Sequence, residues 1–293
     1  MATITTITTT PDVAAFLSKR LLLLLFLLLT LVGNRVDAQA LPDNKVFNPG
    51  EQVHYEMYFK WGILMPRAGT ASFSVKEKTY EGDSAYRYRL LFSTTGMFEK
   101  VFKMRDTLDT YFTNPGMLLL RGEKRVNEND YYLVDELCFS YKNGQTTAHS
   151  RRFTPKVMKI DTVLNSEGHL FDMLGAVMHL RMLDKTNLTV GQEFPFRIAI
   201  GRDLVNVTYR YAGQAIVAQG DYLKYRTRHF YIDISDEAFT QRRAAAEIWV
   251  GDDANQIPIR VRAKLKIGAA EVYYKSSDNL RYPLSCRIVI PKR

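Results

Sequence analysis

The chain has 293 residues, of which 46% are hydrophobic, 24% charged and 12% aromatic, and its 40 Lys and Arg against 31 Asp and Glu give a net charge of +9. Those proportions belong to a folded globular protein and exclude wholesale disorder, collagen-like repeats and a small cysteine-stapled scaffold. Seventeen Tyr and 16 Phe lean towards strands.

The chain opens on an export signal. Lys19-Arg20 precede Leu21 to Val32, an almost unbroken leucine run, and Val36-Asp37-Ala38 supplies a small-x-small cleavage pattern before Gln39. The run is about a dozen residues, short of the ~20 a membrane-spanning helix needs. Residues 1–38 are expected to be a signal peptide cleaved near Ala38, the alternative being an uncleaved anchor helix. Residues 39–293 are expected to form a single exported, periplasmic β-rich domain that does not span a membrane.

The body runs strand after strand. Val53 to Phe59 follows Pro49-Gly50, and Thr70 to Lys76 alternates, with Ala71, Phe73 and Val75 on one side. Tyr86 to Phe92 follows Glu81-Gly82-Asp83, and Asn114-Pro115-Gly116 separates Asp109 to Thr113 from Met117 to Arg121. Asn143-Gly144 suits a tight hairpin between Tyr131 to Tyr141 and Thr146 to Phe153. From Leu170 to Leu183 the apolar spacing turns helical, which predicts one amphipathic helix burying Leu170, Leu174, Val177 and Met178. Strands resume at Phe194 to Ile200, Leu204 to Tyr211, Tyr222 to Ile234, Ala246 to Val250, Ile257 to Ile267 and Glu271 to Tyr274. The expected fold class is all-β, mostly antiparallel, as a large curved sheet or partly open barrel around one main helix.

Three echoes recur at a steady separation. Pro49-Gly50-Glu51-Gln52 matches Val190-Gly191-Gln192-Glu193, and Gly82-Asp83 matches Gly220-Asp221 ahead of a Tyr/Arg-rich strand. Leu118-Leu119-Leu120-Arg121 matches Ile257-Pro258-Ile259-Arg260. A duplicated meander over about 48–155 and 188–290 explains them, and so does ordinary turn chemistry.

No H-E-x-x-H, C-x-x-C pair, G-x-S-x-G or P-loop is present, so no catalytic, cofactor-binding or metal-ligating residues are assigned. Arg105-Asp106 is either a catalytic acid with its partner or, more economically, a structural ion pair. Cys138 and Cys286 either form a disulfide in the oxidising compartment or are two buried thiols. The surplus positive charge is patterned. Side chains alternate across a strand, so Arg260, Arg262, Lys264 and Lys266 share one face. Arg87 and Arg89 repeat the rhythm, as do Lys224, Arg226 and Arg228. These nine cations make either a solvated outer face or a contact for an anionic envelope component, such as phospholipid headgroups or acidic glycan. They lack a nucleic-acid recognition motif, so no nucleic acid is expected.

In order, Asn48-Pro49-Gly50-Glu51, Pro66-Arg67-Ala68-Gly69-Thr70-Ala71, Met104-Arg105-Asp106, Phe171-Asp172-Met173-Leu174 to Leu180-Arg181, and Ile248-Trp249-Val250-Gly251-Asp252-Asp253 with Ile257 to Val261 span nearly the whole exported chain. In these motifs it resembles the exported bacterial family called domain of unknown function 3108. The resemblance implies an all-β protein of Gram-negative envelopes with no family catalytic residues to carry over. Met104 departs from the β-branched residue usual there, a change of packing. The expected function is non-catalytic: binding or carriage of lipid or another envelope component, the alternatives being an assembly partner of another envelope protein or an unrecognised hydrolase.

Overall fold

The computed structural model describes residues 46–235, 242–265 and 268–290. Sixteen strands and two helices follow one another as β1 (Gln52–Lys60), β2 (Arg67–Tyr80), β3 (Asp83–Thr94), α1 (Met97–Val101), β4 (Arg105–Thr113), β5 (Leu119–Glu128), β6 (Tyr131–Lys142), β7 (Gln145–Phe153), β8 (Met158–Glu167), β9 (Leu170–Phe171), α2 (Met173–Met182), β10 (Glu193–Ile200), β11 (Asp203–Gln219), β12 (Leu223–Ser235), β13 (Arg242–Gly251), β14 (Pro258–Lys264), β15 (Ala269–Asp278) and β16 (Arg287–Val289). The expected all-β, mostly antiparallel class is the one found.

Hairpin follows hairpin from β1 to β8, and again from β10 to β15. The two meanders join where β15 pairs antiparallel with β1, from Gln52↔Asp278 to Lys60↔Ala269. The sheet path therefore runs from β8 through β1 and β15 to β10 and β9, and it curls into a nearly closed barrel. Side chains close the seam where the ladder stops. Ser150 Oγ donates to Gly201 O at 2.5 Å, Arg202 Nη2 to Lys159 O at 3.1 Å, and Arg197 Nη1 to Ser166 Oγ at 3.3 Å. The one parallel pair is short, Leu170↔Arg197 and Phe171↔Ile198.

The three sequence echoes fall at equivalent places in the two meanders: before β1 and β10, before β3 and β12, and at the starts of β5 and β14. Their turns require the same backbone, with Gly50 and Gly191 both at φ 90°.

Inward-facing side chains fill the barrel. Tyr55, Phe73, Tyr88, Tyr225 and Tyr274 form a chain of rings across β1–β3, β12 and β15, with centroids 5.2–6.4 Å apart. The rest of the space is taken by α2, which carries the chain from one side of the seam back to the other. The helix starts at Met173 rather than Leu170, because Leu170 and Phe171 are drawn into the pair with β10 and Asp172 is the N-cap. Asp172 Oδ1 accepts from Gly175 N at 2.7 Å, and its Oδ2 accepts from Thr110 Oγ1 at 2.6 Å, tying the helix start to β4. At the other end Lys185, itself buried, donates to Leu180 O and to the carbonyls of Arg181 and Leu183, satisfying the last turn.

The expected single apolar stripe is a correction. Leu174, Gly175, Ala176, Met178, Leu180, Arg181 and Met182 are all buried, while Val177 is only partly so. A helix enclosed by a barrel has no solvent face, so its polar residues find partners inside.

Candidate functional site

Of the predicted cations, Arg87, Arg89, Arg260 and Arg262 meet carboxylates of neighbouring strands, whereas Arg228 stands opposite the buried Val250. Arg89 grips Asp109 of the neighbouring strand with two bonds (Nε–Oδ1 2.6 Å, Nη2–Oδ2 2.5 Å), and Arg87 and Arg125 approach the same carboxylate at 3.8 and 3.9 Å. The lattice continues through Arg125–Glu123 (2.5 Å), Arg121–Glu123 (2.6 Å) and Arg121–Glu136 (2.8 Å) to Arg151. In the second meander Arg260 binds Glu271 at 2.9 and 3.1 Å, and Arg262 bridges Glu271 and Glu247 at 3.4 and 3.8 Å. Arg260 also lies 4.5 Å over the Trp249 ring, which stacks on His229. Arg228 pairs with Asp252 at 2.7 Å, and Arg226 donates to Ser285 O at 2.6 Å. The carboxylates lie beneath this guanidinium layer, with Glu271 only 1% exposed. Lys224 and Lys264 have no ion pair among the described residues, and Lys266 lies outside them.

Two predicted pairings are corrected. Arg105 and Asp106 do not bond to each other: neighbours in a strand face opposite sides, so Arg105 turns outward to Glu99 of α1 while Asp106 turns inward and accepts from Asn127 N at 2.9 Å. Cys138 and Cys286 are both free. Cys138 points outward on β6 with its thiol 3.5 Å from Glu136 Oε1, whereas Cys286 is buried beside Gly251, near the β12–β16 pair on another side of the sheet. Burial pushes both thiols up, keeping them protonated.

The interior holds polar groups that alternation alone did not single out. Near the first residues of β1, Arg181 forks onto Glu51 (2.6 and 3.1 Å) and donates to Val46 O at 3.2 Å and Asn255 O at 3.0 Å. Both charged side chains are 1% exposed. Tyr55 and Tyr88 stand beside this pair, and burial pushes both phenols up, Tyr88 to about 12. Towards the other end of the barrel, Asp106, Lys124 and Glu128 face inward together. Burial, reinforced by the Asp106 carboxylate, pushes Glu128 up to about 7, and burial raises Asp106 and lowers Lys124. Asp106 Oδ2 and Glu128 Oε1 are buried with no hydrogen-bond partner among the described residues.

Between these groups lies a cavity of about 50 Å³ lined by Gly122, Lys124, Asp135, Ser150, Arg152 and Asp172 among others. Asp172, wholly buried, is pushed up to about 6 by desolvation. His179, stacked on Phe171 at 4.6 Å, is pushed down to about 4, chiefly by burial. Among the described residues no group of three or more His, Cys, Asp or Glu is placed to hold a metal. No described helix is long and apolar enough to cross a membrane.

A nearly closed meander barrel with an internal helix is a fold seen before. Similar in fold is the crystal structure of a β-barrel-like protein of domain of unknown function DUF1849 from Brucella abortus, at TM-score 0.54 and 12% identity, covering 80% of this chain and 99% of that one. A protein with a YmcC-like fold from Bacteroides fragilis is more distant, at TM-score 0.34 and 8% identity over 80% of this chain and 100% of that one. No curated protein matches the sequence. The family profile described as "Protein of unknown function (DUF3108)" matches residues 54–275, and the chain belongs to that family.

The motifs that carried the resemblance supply the interior contacts. Glu51, Asp106, Asp172 and Arg181 are all in them, and Asn255 follows Asp252-Asp253. Their sequence signal was a charged residue inside an apolar segment. What the sequence did not supply was the partner, which sits 130 residues away in the case of Glu51 and Arg181.

Proposed function

We propose that the protein is an exported, periplasmic, non-catalytic binding protein that meets an apolar or anionic component of the envelope with its outer surface. The observation that carries this reading is the filled interior. The cavity beside α2 is about 50 Å³ and the roomier hollow, about 330 Å³, lies at the β6–β7 turn rather than beside α2, against ~300–1,000 Å³ for pockets that enclose a ligand. A carrier that swallows a lipid chain needs far more room beside α2. The absence of a catalytic motif supports a binding role.

The test is extraction of the purified full chain with organic solvent, followed by mass spectrometry, alongside retention on immobilised anionic phospholipid and acidic glycan. The expected result is no stoichiometric lipid inside the protein and retention that weakens with salt. One tightly held lipid per chain overturns surface binding in favour of carriage. No retention, with capture of one envelope protein, overturns it in favour of the assembly role.

A further inference from the structure

Most of the exposed large apolar side chains lie at the end of the barrel where β1 finishes, while Val190, Ile216, Tyr222 and Val289 lie at the other end. Trp61, Ile63, Leu64 and Met65 occupy the tip between β1 and β2, with Met97 and Val101 beside them on α1. Ile63 is 100% exposed and Met97 79%. The tip has a built shape: Trp61 and Leu64 exchange two backbone hydrogen bonds at 2.9 and 3.0 Å, and Gly62 at φ 57° turns the chain between them. It is fastened to α1 by the Phe59 and Phe98 rings at 6.5 Å and by Thr95 N donating to Ala68 O at 3.1 Å. Further round the same end, the β5–β6 turn exposes Tyr131 and Tyr132, and the β7–β8 loop Val157 and Met158.

Uncompensated positive charge surrounds the tip. Lys60, Lys100, Lys103 and Lys264 have no ion pair among the described residues. Lys264 belongs to this group because β15 begins opposite Lys60, at Lys60↔Ala269. Glu99, the acid of α1, is taken by Arg105, and Arg67 leans on Glu56 at 3.3 Å. The opposite end carries both signs, with Glu81, Asp83, Asp221 and Asp278 beside Lys78, Lys142, Lys224 and Arg287.

We infer that the Trp61–Met65 end docks on the surface of an anionic phospholipid bilayer. The inference rests on the surface-binding reading above and names its surface and its partner. Convex loop tips bearing an indole and aliphatic chains enter the headgroup and upper acyl region, where Trp is favoured. Lysines flanking them meet anionic headgroups without having to break an existing pair, and their stems lie along the apolar zone.

The test uses the full chain and vesicles of phosphatidylglycerol and phosphatidylethanolamine at 1:3, against phosphatidylcholine alone. The chain has two tryptophans, and Trp249 is buried and stacked, so a blue shift of emission on vesicle binding reports Trp61. Wild type is expected to co-sediment with the anionic vesicles and shift to the blue. The Ile63→Ser, Leu64→Ser double variant is expected to lose at least ~tenfold in partitioning. Lys60→Gln, Lys100→Gln, Lys103→Gln together lose ~tenfold or more at low salt and little at high salt. All these positions are exposed or partly so, so melting should not change, and Tyr222→Ser at the opposite end should bind as wild type. Vesicle binding that survives the tip substitutions, or comes without a Trp61 shift, overturns the docking end while leaving surface binding intact. No vesicle binding overturns it too, and surface binding then stands or falls on the glycan. A dimer that Ile63→Ser dissociates overturns it in favour of a second copy as the occupant.

Discussion

The two ends of the barrel solve different problems. At the end where β1 begins, the turns are short and built from residues that suit them, Glu81-Gly82-Asp83 and Asn143-Gly144 among them, with Glu81, Gly82, Asn143 and Gly144 at positive φ. Beneath those turns the interior is sealed by Arg181, with carboxylate and carbonyl partners on two segments, the stretch before β1 and the β13–β14 turn. At the end where β1 finishes, the tip holds out large apolar side chains, and the interior beneath contains two carboxyls with unpartnered oxygens. Tight turns and paired charge serve folding. Exposed indole and unpaired lysine do nothing for stability, and the docking proposed above is what they would serve.

α2 is the pillar common to both ends, and its loss has the largest expected effect. Leu174 is 1% exposed, so Leu174→Asp puts an unpaired carboxylate into the core, a loss above ~5 kcal/mol that should leave the protein insoluble. A soluble variant with unchanged melting would remove α2 as the support of either end. The sealed end should fail next. Glu51→Ala strands the Arg181 charge and is expected to lower stability by about 3–5 kcal/mol in urea unfolding, whereas Glu51→Leu with Arg181→Met recovers most of it. A loss no greater than that of an exposed salt bridge, ~1 kcal/mol, would mean that the sealed end is not sealed. Between the ends, Gly122 lets the Asp172 cap lie against β5, since a Cβ there would stand 2.5 Å from Asp172 Oδ2 and 2.7 Å from its Cβ. Gly122→Ala should therefore cost about 1–3 kcal/mol by displacing the cap, read as a lower Tm.

Alternation and turn chemistry made most strands legible, because period-two patterning is a local property. The same alternation placed Arg260, Arg262 and Lys264 on one face correctly. It left their pairing out of reach, since Glu247 and Glu271 are set opposite by the registers Glu247↔Arg262 and Arg262↔Glu271. β8 carries little strand signal because Met158–Glu167 is an edge strand, interrupted by Lys, Asp and Asn in the manner that protects an edge from aggregation. α1 has five residues and no side-chain cap, too short for a helical period to register. The Trp61–Met65 tip escaped for a related reason: an apolar run between strands has no periodicity, and its signal was the misplacement of such residues in a loop.

The smallest expected effect probes the apolar end from within. Glu128 is held near 7, above the ordinary carboxyl value, chiefly by burial and then by Asp106. The folded protein therefore binds this proton more tightly than the unfolded chain. Its contribution is fully present below about 4.5 and is lost as pH rises through 7. Glu128→Gln removes the titration while keeping the shape. The variant should match wild type near pH 4 and exceed it near pH 8 by about 1 kcal/mol, roughly 2–4 °C in Tm for a domain of this size. That is less than the shift alone would give, because Asp106 and Lys124 readjust. Asp172, at about 6, has the same sign and is common to both proteins. His179, at about 4, has the opposite sign, losing stability as pH falls below 6.5, and also cancels in the comparison. Melting curves of the two proteins from pH 4 to 8 measure the difference directly. A gap that stays constant with pH would show that Glu128 is ionised and solvated in the fold, and the interior contrast between the two ends would be gone.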